Sequence, residues 1–377
     1  MPHETQREQT HELLNKHGIE RALFANMASV KWLTGFNPPI QTGPSVFLGG
    51  PPMVWYENGA WTLVIFDWHI PYAGNFSAQP NCQIVAYEGY AIEHPLRGIP
   101  QVRAVLRRVM GETHAGKVGI ELRDAPADIA LSLCEVNRVE PVAIDTWLEP
   151  FRRIKTHEEL QKLRDNFRLT DIGHAAARAA VKPGNREIDV WNAAHYAIEQ
   201  AAGQRVPLGN DCVVGYRQEN IGGLPLDYEI RAGDSCIVDL STILHGYWSD
   251  SCATYYADEP SAKQRAMHRT TERALEFAIS LVKPGAVARE IDAQVRAFMR
   301  KEGYAVYPHH TGHSLGVTPH EDPRIVPYNE MALQENMVIM LEPGIYFPGE
   351  TSVRLEDAVW VTKTGAEILT HHDKALP

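Results

Sequence analysis

The residues VKPGNREID (181–189) return about a hundred positions later as VKPGAVAREID (282–292), with two more residues in the loop. This echo restricts the fold more than any other feature of the chain. In each copy a helical stretch runs into Pro-Gly, Glu-Ile-Asp opens a second helix, and that helix stops at a glycine, Gly203 or Gly303. Glycine past a helix end and acids in a first turn are ordinary punctuation. Their recurrence with matched flanks points to a duplicated helix-and-sheet unit. By analogy with duplicated transporters, a site is expected where the two halves meet.

The 377 residues leave room for a second domain ahead of the repeat, at roughly 150 residues per domain. Gln6–Lys16 reads as an amphipathic helix stopped near Gly18, and Ala22–Phe24, Val46–Leu48, Trp61–Phe66 and Ile84–Tyr87 read as short strands. This alternation predicts an α/β domain over 1–151. The boundary falls before the charged run RRIKTHEELQKLR (152–164), leaving 152–377 for the repeat. A hydrophobic share of 44% with 22% charged residues suits a folded chain rather than a disordered one. The net charge of −11 argues against nucleic acid or an anionic membrane as a partner. The polar start MPHETQREQTHELL lacks a secretory pattern, and no apolar run approaches the roughly 20 residues that span a bilayer. The five cysteines (Cys82, Cys134, Cys212, Cys236, Cys252) are odd in number and never spaced CxxC. A reducing, cytoplasmic location is the expectation.

Chemistry enters with CIVDLSTILHGYWSDSCATYY (236–256), whose apolar and β-branched residues run into a turn around Leu244–His245–Gly246 and out again. With the turn centred between Leu244 and His245, Asp239 is expected opposite Asp250, where like charges about 5 Å apart are destabilising. One such pair alone is better explained by an aspartate that caps a turn or points into solvent. The pattern recurs, however, in MVIMLEPGIYFPGETSVRLEDAVWV (337–361), where Glu342 and Glu356 are symmetric about Gly349. Two acid pairs in apolar strands are costly unless the acids are protonated or cations neutralise them. A four-carboxylate cluster selects hard cations, or Mn, Fe, Co and Zn when an imidazole joins. The imidazole candidates are His309, His310, His313 and His320 in HHTGHSLGVTPHEDP (309–323), where Gly312 and Gly316 allow a tight backbone path. The segment lacks the HExxH pattern of a mononuclear zincin.

Taken in order, Asp239, Asp250, His313, Glu342 and Glu356 resemble the five metal ligands of the pita-bread metallopeptidases, the family of methionine aminopeptidase, aminopeptidase P and prolidase. GHSLG (312–316), LEPG (341–344) and VRLED (353–357) carry the likeness. KWLTGF (31–36) and RRIKTHEEL (152–160) resemble the N-terminal domain of the creatinase and prolidase members, so the resemblance covers nearly the whole chain. It sets methionine aminopeptidase aside, whose typical form lacks that domain. The implied fold class is α/β (α+β), a creatinase-type α/β domain followed by a pita-bread domain with an internal pseudo-two-fold repeat. The resemblance also implies two divalent ions (Mn, Co, Zn or Fe). Asp250 and Glu356 would bridge them, Asp239 would chelate one, and His313 and Glu342 would complete the other. A hydroxide between the ions would be the nucleophile. Glu342 would also serve as general base, and His320 would hydrogen-bond the carbonyl or oxyanion. Arg354 would bind a substrate carboxylate or hold the site by ion pairing, and His309 matches another recurring site histidine. The implied activity is that of an Xaa-Pro dipeptidase or aminopeptidase on a small-molecule or short-peptide substrate. The implied assembly is a homodimer, with FDWHIPY (66–72) either reaching the second subunit's pocket or ending an interior strand.

Three positions depart from the peptidase pattern. Members usually carry a histidine 17 residues before the first aspartate, where this chain has Gly222. The Thr-Arg that commonly follows the second aspartate is replaced by Cys252 and Ala253, and the glycine two after the first aspartate is Ser241. The metal set is intact while the substrate side is remodelled. Two other functions therefore stay open, a metal-dependent hydrolase of a non-peptide amide or cyclic amidine and a non-catalytic binding protein.

Overall fold

A computed structural model of the chain describes residues 2–38, 40, 47–93, 97–111, 116–137, 139–218 and 221–377. It divides into two compact units, Met1–Arg152 and Arg153–Pro377.

The first unit is built on a six-stranded sheet in the order Cys82–Tyr87, Ala60–Phe66, Met53–Glu57, Arg21–Phe24, Gly116–Ile120, Val139–Ala143. Its two antiparallel pairs lie in the middle, and its parallel pairs lie towards the edges. Trp61–Phe66 is buried along its whole length, which explains its nearly continuous apolar sequence. The hairpin before it turns at Asn58–Gly59, both with positive φ, the two-residue geometry that matches strand twist. The expected helix is found as Glu4–Lys16, with Gly18 at φ +66° beyond it. The strand expected at 46–48 does not form at Phe47 and Leu48, and Val46 lies outside the described residues. The strand here is Met53–Glu57, whose pairing with Ala60–Phe66 supplies the hydrogen bonds. Phe66–Tyr72 leaves its strand through a 3-10 turn in which Trp68, Ile70 and Tyr72 are exposed.

The second unit displays the echo as a structural repeat. Helices His157–Ala180 and Glu187–Ala202 form the first pair, and Ala262–Leu281 and Ala288–Lys301 the second. The leading helix of each pair starts from a reciprocal capping box, Thr156 with Glu159 and Ser261 with Gln264. Between the paired helices Gly184 and Gly285 sit at φ +88° and +86°. Their N–H groups donate to Ile230 (2.9 Å) and Leu333 (2.8 Å). The following helix begins alike in both copies, Glu187 N–H donating to Tyr228 and Ala288 N–H to Met331.

Each helix pair covers its own sheet. In the first, Ser235–Leu244 pairs with Tyr247–Trp248, Ser251–Tyr256, Leu208–Gly209 and Cys212–Val214. In the second, the order is Glu321–Ile325, Gly312–Ser314, Val338–Leu341, Asp357–Val361, Ala366–Ile368, with a separate hairpin of Gly344–Phe347 and Thr351–Arg354. Val190, Ala194 and Ile198 pack on Val238 and Leu240 in one half; Leu275, Ile291 and Val295 pack with Ile339, Leu341 and Val359 in the other. Burying each Val, Leu or Ile contributes about 1.5–3 kcal/mol. Among the described residues no helix is long and apolar enough to cross a membrane.

Candidate metal centre

The first acid-bearing hairpin reverses at His245–Gly246, with φ +53° and +81°, one residue later than the sequence predicts. Both turn residues need positive φ, which His245 tolerates and Gly246 adopts freely. The ladder therefore pairs Leu244 with Tyr247 and Asp239 with Cys252. Asp250 is displaced by two positions from the expected place opposite Asp239. A two-residue offset preserves the sheet face, and the carboxylates still converge. Asn210 Nδ2 donates to Asp239 Oδ1 at 3.2 Å and to Asp250 Oδ1 at 3.0 Å. Ser241 holds the hairpin through a 2.8 Å hydrogen bond to the Ser249 carbonyl.

The glutamates keep the symmetry read from the sequence. One ladder ends with Leu341 opposite Asp357, the next begins with Gly344 opposite Arg354, and the register is common to both. Glu342 and Glu356 face each other in the gap between these ladders. Their backbones pair elsewhere: Glu342 N–H donates to Thr311 (3.0 Å) and Glu356 N–H to Cys252 (2.9 Å). One glutamate is thereby tied to the histidine segment and the other to the aspartate hairpin.

His313 occupies the middle of Gly312–Ser314, opposite Met340. A Cβ on Gly312 would stand 1.9 Å from the Met340 carbonyl, so this strand approaches its neighbour only with glycine there. His313 Nδ1 is 2.9 Å from the Ser314 carbonyl. That contact makes Nδ1 the protonated nitrogen and leaves the Nε2 lone pair for the site. Nε2 lies 3.7 Å from Asp250 Oδ2 and 3.8 Å from Glu342 Oε1. One potential donor atom each from Asp250, His313 and Glu356 lies within 4.8 Å of the others, as do those of His310, His313 and His320.

Burial sets the electrostatics. It raises the Asp250 and Glu356 carboxyls well above the usual range, and the neighbouring acids push in the same direction. Asp239 is raised by burial to about 6, against the pull of Arg354. Burial also opposes ionisation of Glu342, but the imidazoles of His310, His313 and His309 outweigh it and hold that carboxyl low. Desolvation drives His313 down to about 3, so its imidazole is neutral. A divalent cation suits this donor set, because it compensates the buried charges and accepts the free imidazole nitrogen. Glu342 Oε1 is buried without a well-aligned hydrogen bond, although His310 Nε2 stands 2.7 Å away.

The other expected site residues gather around the same point. His309 contacts the His310 carbonyl through Nδ1 and the Tyr346 hydroxyl through Nε2, both at 2.8 Å. Burial lowers it to about 4, which keeps the ring neutral, and the two contacts set its orientation. The His320 ring lies 4.2 Å from that of His313, centroid to centroid. Arg354 spends its guanidinium on ion pairing: Nη2 is 2.6 Å from both Asp239 Oδ2 and Asp211 Oδ2, and Nη1 donates to Ile221 at 2.7 Å.

Three residues without a sequence signal complete the site: Asn210, Asp211 and Arg324, whose Nη2 is 3.0 Å from Nδ1 of His310, an imidazole candidate of the sequence that contacts Glu342. Asp211 explains Gly222, since a Cβ at 222 would fall 1.8 Å from Asp211 Oδ2. Cys252 packs with Val213 and Ile237 against Tyr346, its thiol 3.7 Å from the Arg354 carbonyl.

Known proteins share the family pattern and the fold. Residues 161–363 match the model of metallopeptidase family M24. An Xaa-Pro dipeptidase of Pyrococcus furiosus is 33% identical over 234 residues, 62% of this chain and 67% of that protein. One from Pyrococcus horikoshii is 31% identical over the same shares. The aligned segment spans about two thirds of the length of the curated relatives it matches. The crystal structure of the Pyrococcus horikoshii prolidase superposes with a TM-score of 0.83 at 24% identity, covering 99% of this chain and 100% of that one. The Pyrococcus furiosus prolidase gives 0.79 at 26% identity, covering 96% and 99%. The α/β domain followed by the pita-bread domain, read from the sequence, is the architecture found.

Proposed function

The chain belongs to metallopeptidase family M24, and from that premise we propose that it is a dinuclear peptidase of the Xaa-Pro dipeptidase type. The supporting observation is the meeting of Asp250, His313 and Glu356 donor atoms within 4.8 Å, with Asp239 and Glu342 beside them. In this reading those five side chains hold two ions of the Mn, Co, Zn or Fe class. When bound, the ions supply water activation and carbonyl polarisation at neutral pH. Glu342 accepts the proton of the attacking water. His320 donates to the carbonyl oxygen as charge develops on it, and His309, locked by Tyr346, bounds the pocket. Arg354 keeps Asp239 in place. Exposed Arg324 favours a dipeptidase over an aminopeptidase: it stands one imidazole away from Glu342. A dipeptide's terminal carboxylate belongs to the residue directly after the scissile bond, one Cα step of about 3.8 Å.

Chelation followed by reconstitution with single metals, assayed on Xaa-Pro dipeptides and longer Xaa-Pro peptides, tests this. Metal-dependent cleavage confined to the dipeptides is expected, and metal-independent cleavage refutes it. A second reading, hydrolysis of a non-peptide amide or cyclic amidine, is favoured by Gly222, which stands where peptidase members usually carry a histidine. It gains if the metal-loaded protein cleaves no peptide. A homodimer using the exposed Trp68, Ile70 and Tyr72 is the proposed assembly, readable by light scattering. A reducing compartment suits the free, buried Cys82, Cys212, Cys236 and Cys252.

A further inference from the structure

We propose that Asp211 is a substrate-recognition residue, receiving the positively charged α-ammonium of the bound peptide. This rests on the peptidase reading above and adds to it a residue and a determinant of preference.

The argument starts from Gly222. Its backbone runs so close to the Asp211 carboxylate that a Cβ would lie 1.8 Å from Oδ2 and 2.4 Å from Cγ. No positive φ forces glycine at this position. The side chain is missing because a carboxylate occupies its space. Two bonds fix that carboxylate: Gly223 N–H donates to Oδ1 at 2.9 Å, and Arg354 Nη2 is 2.6 Å from Oδ2. A carboxylate offers about four acceptor sites, of which the described residues take up two. The Asp211 side chain is 23% exposed, whereas Arg354 is 4% and Asp239 10% exposed. Asp211 is thus the accessible acid of this trio.

Its location gives the site a polarity. From Asp211 the contacts run through Arg354 to Asp239, through Asn210 to Asp250, then to His313, Glu342, His310 and Arg324. One end of this line presents an accessible anion and the other an exposed cation. A dipeptide with free termini has the same polarity, ammonium at one end and carboxylate at the other. Arg354 does not cancel the field at Asp211, because it is shared with Asp239. Lys or Arg beside a carboxylate is common, but a carboxylate taking up the position of a deleted side chain in a substrate site is a placed group.

The test compares Ala-Pro with N-propionyl-proline, which differs only in having hydrogen where the ammonium stood. The wild-type protein should prefer Ala-Pro, and D211N should reduce that preference about tenfold or more, as expected for a lost charge-assisted hydrogen bond. G222A reads the same quantity independently, since its methyl displaces the carboxylate without altering charge. Equal losses on both compounds in D211N and G222A would mean that Asp211 only positions Arg354, and would overturn the proposal. If the metal-loaded wild type cleaves neither compound, the peptidase reading fails. Calorimetric binding of the same pair then decides the role of Asp211, and equal affinity for both compounds overturns it.

Discussion

The Glu356 N–H donates to the Cys252 carbonyl at 2.9 Å, and Cys252 lies opposite Asp239 in the neighbouring ladder. The glutamate half of the site is therefore fastened to the aspartate half at the residue that faces an aspartate. Cys252 is fully buried, packed with Val213, Ile237 and Tyr346. C252V should overpack this junction and cost about 1–3 kcal/mol, with a matching drop in bound metal. Urea unfolding and elemental analysis check both effects.

Arg354 is buried against two acids, so removing it strands both. R354M should destabilise the metal-stripped protein by about 3–5 kcal/mol, seen as a lower urea midpoint. R354K should recover little, because a single ammonium nitrogen does not reproduce the planar fork that reaches Ile221 through Nη1 and both acids through Nη2.

The acids predict a proton count. Asp250 and Glu356 are raised well above the ordinary range, and Asp239 to about 6. In the metal-free protein their contribution to stability is full below about pH 4 and is lost as pH rises through the raised values. His313 and His309, lowered to about 3 and 4, act oppositely. Their contribution is full above about pH 6.5 and is lost as pH falls through those values. A cation must displace the carboxyl protons. Near neutral pH metal binding should release protons and strengthen as pH rises, which calorimetry in buffers of different ionisation enthalpy measures. Metal binding without proton release contradicts the picture.

Glu187 is fully buried and accepts from Arg217, Val214 N–H (2.8 Å) and Leu226 N–H (3.0 Å), clamping both sides of the segment that carries Gly222. E187A leaves Arg217 without its partner and should cost about 3–5 kcal/mol. The accompanying sign is a higher KM at unchanged metal content, since the clamp touches no proposed ligand.

Arg324 is exposed and reaches the site through its 3.0 Å contact with His310 Nδ1. R324A should raise KM for a dipeptide roughly tenfold or more, in line with a lost charged hydrogen bond. Metal stoichiometry should stay constant, and an unchanged KM would remove Arg324 from substrate binding.

Much of this site was legible because its signals are local. Glu342 and Glu356 were placed correctly since the hairpin between them is regular and Gly349, at φ +74°, marks its centre. The aspartate pair was misplaced by two positions because the sequence does not say which adjacent pair in Leu244–His245–Gly246 takes positive φ. The repeat was readable because helix punctuation is written within a few residues. The Asp211–Gly222 relation was not, since neither residue signals the other. Only the folded path brings that carboxylate against that glycine. The same holds for Arg324 and His310, fourteen residues apart on different segments.

The division of donors between the halves of the repeat has a consequence for biosynthesis. A nascent chain that has delivered only the first hairpin offers Asp239 and Asp250, whereas His313, Glu342 and Glu356 emerge later. With the proposed ligand set, ion capture would be a late event whose binding free energy favours only the finished fold. On that reading the cation would reward completion of the second half, which a fragment ending after the first hairpin lacks.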